Sequence, residues 1–138
     1  MPPFAQLFAL ILGITYTAVG LLGFFPWLLN GSLPGVQGPF AGNLLNTFAV
    51  NWLHSVTHLL IGLAGIAASR RFAASKTYAL VLAVAYFGLF LLGLLSEPLG
   101  TLGGYLPLNG ADDALHISTA VLAAVVFGAS RDRRRGRR

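Results

Sequence analysis

Four uninterrupted apolar blocks, each close to 20 residues long, constrain this chain more than any other feature. They run from Phe4 to Phe25, from about Phe48 to Ala68, from about Thr77 to Leu95 and from about Asp112 to Ala129. Pro26 ends the first, and Glu97 with Pro98 ends the third. About 20 apolar residues in a helix cross a hydrocarbon core about 30 Å thick. The blocks are continuous rather than alternating, and a small open sheet would leave unpaired backbone in lipid, so they predict helices and not membrane strands. Composition agrees. The chain is 56% hydrophobic and 9% charged, whereas a soluble domain carries about 25% charged residues. The expected fold is all-α: a four-transmembrane-helix bundle over residues 1–130, followed by an Arg-rich tail over 131–138. The absence of cysteine excludes disulfides, thiolate metal sites and thiol nucleophiles. The first block has no basic lead-in and is longer than the apolar core of a signal peptide, which predicts a retained helix.

The charges orient the bundle. Arg70, Arg71 and Lys76 lie between the second and third blocks, and Arg131, Arg133, Arg134, Arg135, Arg137 and Arg138 follow the fourth. Glu97, Asp112 and Asp113 lie at the opposite ends. The positive-inside rule then places both termini in the cytoplasm without conflict, with the 26–47 and 96–111 connections facing outward. The expected location is a bacterial cytoplasmic membrane, crossed several times. The basic tail serves as a topology anchor that touches anionic lipid headgroups. Six arginines without interleaved aromatics predict no nucleic-acid partner.

The chain also reads as two tandem hairpins. Tyr16 leads to Leu22-Gly23-Phe24-Phe25 and Pro26; Tyr86 leads to Leu92-Gly93-Leu94-Leu95 and Pro98. Asn51-Trp52-Leu53-His54 corresponds to Asp113-Ala114-Leu115-His116, and Ala68-Ser69-Arg70 to Ala129-Ser130-Arg131. Both halves have the same orientation, as in parallel-repeat membrane proteins. In the outer loops, Trp27 suits an interfacial aromatic belt, and Asn109 or Asp112 suits a cap for the last helix.

Polar side chains within lipid are costly, so their positions carry functional information. Asn51, His54 and His58 fall at i, i+3 and i+7 on one helical face, with Thr57 one step round. Asp113 and His116, at i and i+3, form the counterpart in the fourth block. At about 1.5 Å per residue, His54 and His116 lie on the order of 10 Å inside the outer boundary, and His58 is nearer the midplane. Imidazoles at i and i+4 can share an ion, and a third His with a carboxylate can complete a tetrahedral site for a divalent metal such as Zn²⁺. The candidate ligands are His54, His58, His116 and Asp113. Asn51, Asp112, Thr57, Tyr16 and Tyr86 are candidates for an orienting polar network around them. Haem fits less well than a divalent metal, because the bundle is small and the histidines lie near one end. A proton relay through His, Asp and Asn needs no cofactor. The same residues could instead only bond across helices and fix their packing, at about 1 kcal/mol each. Ser55 or Ser118 beside His and Asp suggests a nucleophilic triad, but no GxSxG elbow supports one. Thr15 and Thr17 are placed to bond back to their own helix. Gly20 and Gly23 in the first block, with Gly62 and Gly65 in the second, permit close helix contact.

The run Asn51-Trp52-Leu53-His54 through His58-Leu59 to Gly62 and Gly65 gives the pattern NWLHxxxHLxxGxxG. Pro107, Asn109, Asp112, Leu115 and His116 give PxNxxDxxLH. With these motifs the chain resembles an uncharacterised bacterial four-helix membrane family, a domain of unknown function, over nearly its whole length. The resemblance implies a four-span fold and no activity. In layout alone the chain is similar to the DoxX-type four-span proteins linked to redox and quinone metabolism. Small mass and short loops favour a non-enzymatic structural or accessory membrane component, acting as a homo-oligomer or beside a larger complex. The alternative is a metal-binding hydrolase or oxidoreductase built on the histidines, and a further alternative is a proton-linked transport unit.

Overall fold

A computed structural model of the chain describes residues 3–96 and 101–130. Four helices form an all-α bundle: α1 (Phe4–Leu22), α2 (Trp52–Ala68), α3 (Phe72–Leu95) and α4 (Gly110–Ala129). Helices α1, α3 and α4 are long and apolar enough to cross a membrane; α2 is a shorter apolar helix of 17 residues. At about 1.5 Å per residue α2 is ~26 Å long, at the lower end of what spans a bilayer. Glu97, Pro98 and the tail arginines Arg131, Arg133, Arg134, Arg135, Arg137 and Arg138 lie outside the described residues.

The outer face of the bundle is aliphatic, and its interior holds polar groups beside an apolar core. Ile14, Leu60, Val84, Leu94 and Val125 face outward, whereas Asn51, His54, Ser55, His58, Asp112, His116 and Thr119 are buried. That distribution suits a hydrocarbon solvent, where outward apolar groups cost nothing and polar groups need internal partners. The chain is a multi-pass membrane protein.

Helices pair as two hairpins, α1 with α2 and α3 with α4. The first pair is held at backbone distance by glycines. A Cβ on Gly13 would enter the α2 backbone at Gly62, Gly65 and Ile66, and one on Gly20 would enter it at Ser55 and Leu59. Only a residue without a side chain permits that approach. The second pair packs side chain to side chain, with Ala79, Leu82 and Tyr86 in one core cluster with Ala120, Ala123 and Val126. At the α2–α3 turn, which carries Arg70 and Arg71, Ser75 donates to the Ala68 carbonyl at 2.9 Å. Lys76 donates to the Ser130 carbonyl at 3.0 Å and lies over the Phe127 ring.

The opposite end is capped by the two longer connections. After a 3₁₀ turn at Pro26–Leu28, three short strands, β1 (Leu29–Asn30), β2 (Gly42–Leu44) and β3 (Phe48–Val50), form an antiparallel sheet in chain order. Its register pairs Leu29 with Leu44 and Gly42 with Val50. The apolar block that begins at Phe48 is therefore divided. Its first three residues are strand, and the helix starts only at Trp52, because Asn51 caps it by accepting from the His54 N–H at 2.9 Å. The second connection carries a 3₁₀ turn at Thr101–Gly104 with Leu102 and Gly103 in the left-handed region. Gln37 N–H donates to the Gly104 carbonyl, joining the two connections. Asn109 caps α4 in a capping box: it accepts from Asp112 N–H while the Asp112 carboxylate accepts from Asn109 N–H. Trp27 is exposed at this end, its ring against Phe25.

Candidate metal centre

Helical spacing along α2, and the way the two hairpins α1–α2 and α3–α4 pack together, bring three histidines together. His54 lies in the first turn of α2 and His58 one turn further. His116 comes from the second turn of α4. His54 is shallower than spacing from Phe48 implies, because α2 begins later. One ligand atom from each imidazole lies within 4.8 Å of the others, and all three residues are buried. Ring centroids of His54 and His58 are 4.6 Å apart, and those of His54 and His116 are 6.4 Å apart. Two tyrosines in contact with each other pack against the cluster: the Tyr16 ring centroid lies 5.0 Å from that of His58, Tyr86 lies 5.2 Å from His116, and the two tyrosine rings are 5.5 Å apart.

The imidazoles are not fully partnered. Nδ1 of His54 and Nδ1 of His116 are buried without a hydrogen-bond partner. Buried polar nitrogens are costly when unsatisfied, so each asks for a ligand or proton donor. Tetrahedral bonds of about 2 Å to one Zn²⁺ ion put its ligand atoms about 3.3 Å apart, so the imidazoles must draw together by up to about 1.5 Å. Three imidazoles and one open position are the donor set of a catalytic-type zinc site.

The remaining candidates separate into distinct roles. The carboxylate of Asp113 lies outside the histidine group, in the space left by the missing side chain of Gly93 on α3, and its Oδ1 has no partner. Asp112 is occupied structurally, accepting from Ala49 N–H at 3.1 Å and Asn109 N–H at 3.0 Å. Asn51 links backbone to the site: beyond capping His54, its amide donates to the carbonyls of Gln37 and Tyr105, both at 2.9 Å. Thr57 bonds back to Leu53 at 2.8 Å and Thr15 back to Ile11, as the sequence suggests. Thr17 does not: its buried hydroxyl is partnerless beside Gly62. The Ser118 hydroxyl donates to the Ala114 carbonyl, and Ser55 is buried beside Gly23.

One contributor escaped the sequence argument. The Tyr16 hydroxyl is paired with Thr119 at 3.0 Å. Thr119 stands to His116 as Thr57 stands to His54, so the tandem hairpins carried the signal.

Two cavities flank the cluster, one in each seam between hairpins. The first, about 180 Å³, lies between α2 and α3 and is lined by all three histidines together with Leu53, Thr57 and Leu89. The second, about 160 Å³, lies between α1 and α4 and touches His58, Tyr16, Leu115 and Thr119. Leu53 and Thr57 in one match Leu115 and Thr119 in the other at the offset that relates His54 to His116. A larger groove of about 350 Å³ between α3 and α4 is aliphatic and aromatic throughout and touches no histidine.

A family model described as a domain of unknown function, DUF4383, matches residues 6–129. The chain belongs to this family. No curated protein and no solved structure matches it. The DUF4383 match runs from α1 to the end of α4, so the three histidines, both tyrosines and both cavities lie within the family domain.

Proposed function

We propose that this protein binds one divalent transition-metal ion, of Zn²⁺ character, through His54, His58 and His116 in the outer half of a bacterial cytoplasmic membrane. One observation carries the proposal: three buried imidazoles from two helices offer ligand atoms within 4.8 Å of one another. The partnerless Nδ1 atoms of His54 and His116 support it. Arg70 and Arg71 lie at the end away from the histidines, which favours a cytoplasmic position for that end and for both termini. Those arginines and the basic tail meet anionic headgroups. The open fourth position is where an ion could activate water or polarise a ligand.

Elemental analysis of protein purified in mild detergent tests this. We expect a stoichiometric transition metal that disappears in the double variant His54→Ala, His58→Ala. A metal-free wild type after purification with zinc present, or metal retained by the variant, would overturn it. A purely structural or accessory role is the second reading, favoured by the tilted ring contacts joining Tyr16, Tyr86 and the three histidines. Under that reading zinc leaves the melting temperature unchanged.

A further inference from the structure

Of the two seam cavities, the one between α2 and α3 alone is lined by all three histidines. The rest of its wall is nearly apolar: Leu53, Ile61, Leu89, Leu102, Leu106 and Leu108. The Thr57 hydroxyl is committed to the Leu53 carbonyl. The three imidazoles and Tyr86 are therefore the polar side chains left in its wall. At about 180 Å³ the cavity holds roughly six water-sized groups at about 30 Å³ each. That is room for a polar head and the first few carbons of a chain, and no more.

The mouth lies on the side of the bundle. Leu53, Thr57, Ile61 and Leu89 are half-buried, and Leu102 in the outer connection is exposed, so the cavity reaches the surface at the outer end of the α2–α3 seam, where the helices meet the membrane interface. A guest arrives there from lipid, which selects a molecule with an apolar body. Charge selects its head. An ion held by three neutral imidazoles keeps its full positive charge, and a buried charge without a counter-charge is strongly disfavoured. No carboxylate joins the histidine group among the described residues. Asp112 is engaged with two backbone N–H groups, and Asp113 lies against Gly93. An anion from outside supplies what the helices do not.

We propose that the α2–α3 cavity admits a single-chain fatty carboxylate from the bilayer, its carboxylate taking the open position of the ion held by His54, His58 and His116. This rests on the metal-binding reading. The acyl chain lies between Leu53 and Leu89 and leaves through the seam into lipid.

The test uses full-length protein in phosphatidylcholine nanodiscs. The probe is a fatty acid with a photoreactive diazirine a few carbons from its carboxylate, and the matching fatty alcohol is the control. Crosslinks are mapped by mass spectrometry, with zinc content measured on the same sample. We expect fatty-acid crosslinks at Leu53, Ile61 and Leu89 to exceed those at lipid-facing Leu60 and Val84 by about tenfold. The alcohol should show no such preference. Leu89→Trp, which fills the cavity without touching a ligand, should remove the preference and leave zinc bound. Leu53→Trp repeats the test from the facing helix, and each variant is taken forward only with the wild-type gel-filtration profile. Uniform labelling with zinc bound overturns the fatty-carboxylate proposal and leaves the metal site standing. Seam labelling by acid and alcohol alike without zinc overturns both the coordination and the metal reading.

Discussion

Between α1 and α2, Gly13, Gly20, Gly62 and Gly65 bring two backbones into direct contact. Across the seam from α2 to α3, the facing side chains are Leu53, Thr57, Ile61, Tyr86 and Leu89, and they leave a cavity of about 180 Å³. The same helix, α2, contributes to both surfaces. Where its face carries glycine, association gains from dense van der Waals contact, the main attraction available between helices in lipid. Where it carries Leu53, Thr57 and Ile61, close contact is given up and a cavity is left beside His54 and His58. The strip of α2 toward α1 holds the hairpin together and the strip toward α3 leaves space, with His54 and His58 between the two.

The largest expected effect comes from breaking the tight side. Gly62→Leu places a side chain into the α1 backbone at Gly13 and Thr17. It should cost about 3 kcal/mol or more and appear as aggregation or a lost melting transition in detergent. A well-behaved Gly62→Leu protein would show that the glycine contact is not what holds the hairpin. Next comes the open side. His58→Ala should weaken zinc affinity by about 100-fold or more, read by competition with a zinc-chelating dye, while the helical circular dichroism stays as in wild type. Asn51→Ala joins the two. It removes a helix cap worth about 1 kcal/mol and two buried hydrogen bonds of about 1 kcal/mol each. Stability should fall by about 2–3 kcal/mol in denaturant unfolding, and zinc affinity should fall by about tenfold through the displaced His54. An Asn51→Ala protein with unchanged zinc affinity would separate cap from site. Thr57→Val is the smallest. Its hydroxyl already bonds within α2, so stability should change by less than about 0.5 kcal/mol and zinc affinity not at all. A clear loss of zinc would give Thr57 a direct part in the polar network.

The four helices were legible because lipid demands long apolar runs, and those runs are hard to mistake. The His54, His58 and His116 grouping was legible from i, i+4 spacing and from the correspondence between halves. The small sheet was not. Its strands are two or three residues long, set among Gly, Pro and Asn, and too short to show a period. Phe48, Ala49 and Val50 are as apolar as the helix that follows, and only the Asn51 cap divides them from it. Asp113 escaped for a different reason. Residues at i and i+3 share a helical face only roughly, and the turn toward α3 is decided by Gly93, a residue 20 positions earlier whose missing side chain leaves room for the carboxylate. Absent atoms leave no pattern in a sequence.

The amide of Asn51 reaches backward to the carbonyl of Gln37 and forward to that of Tyr105. During synthesis the first partner is already made when Asn51 appears, but the second is 54 residues away. The end of α2 that carries His54 is therefore finished only after α3 and the connection that follows it have been made. His116 arrives later still. A half-inserted chain holds two histidines on an incompletely fastened helix and has no site to fill, so an ion captured early has nothing to keep it. Under the metal-binding reading, assembly order by itself reserves the centre for completed molecules.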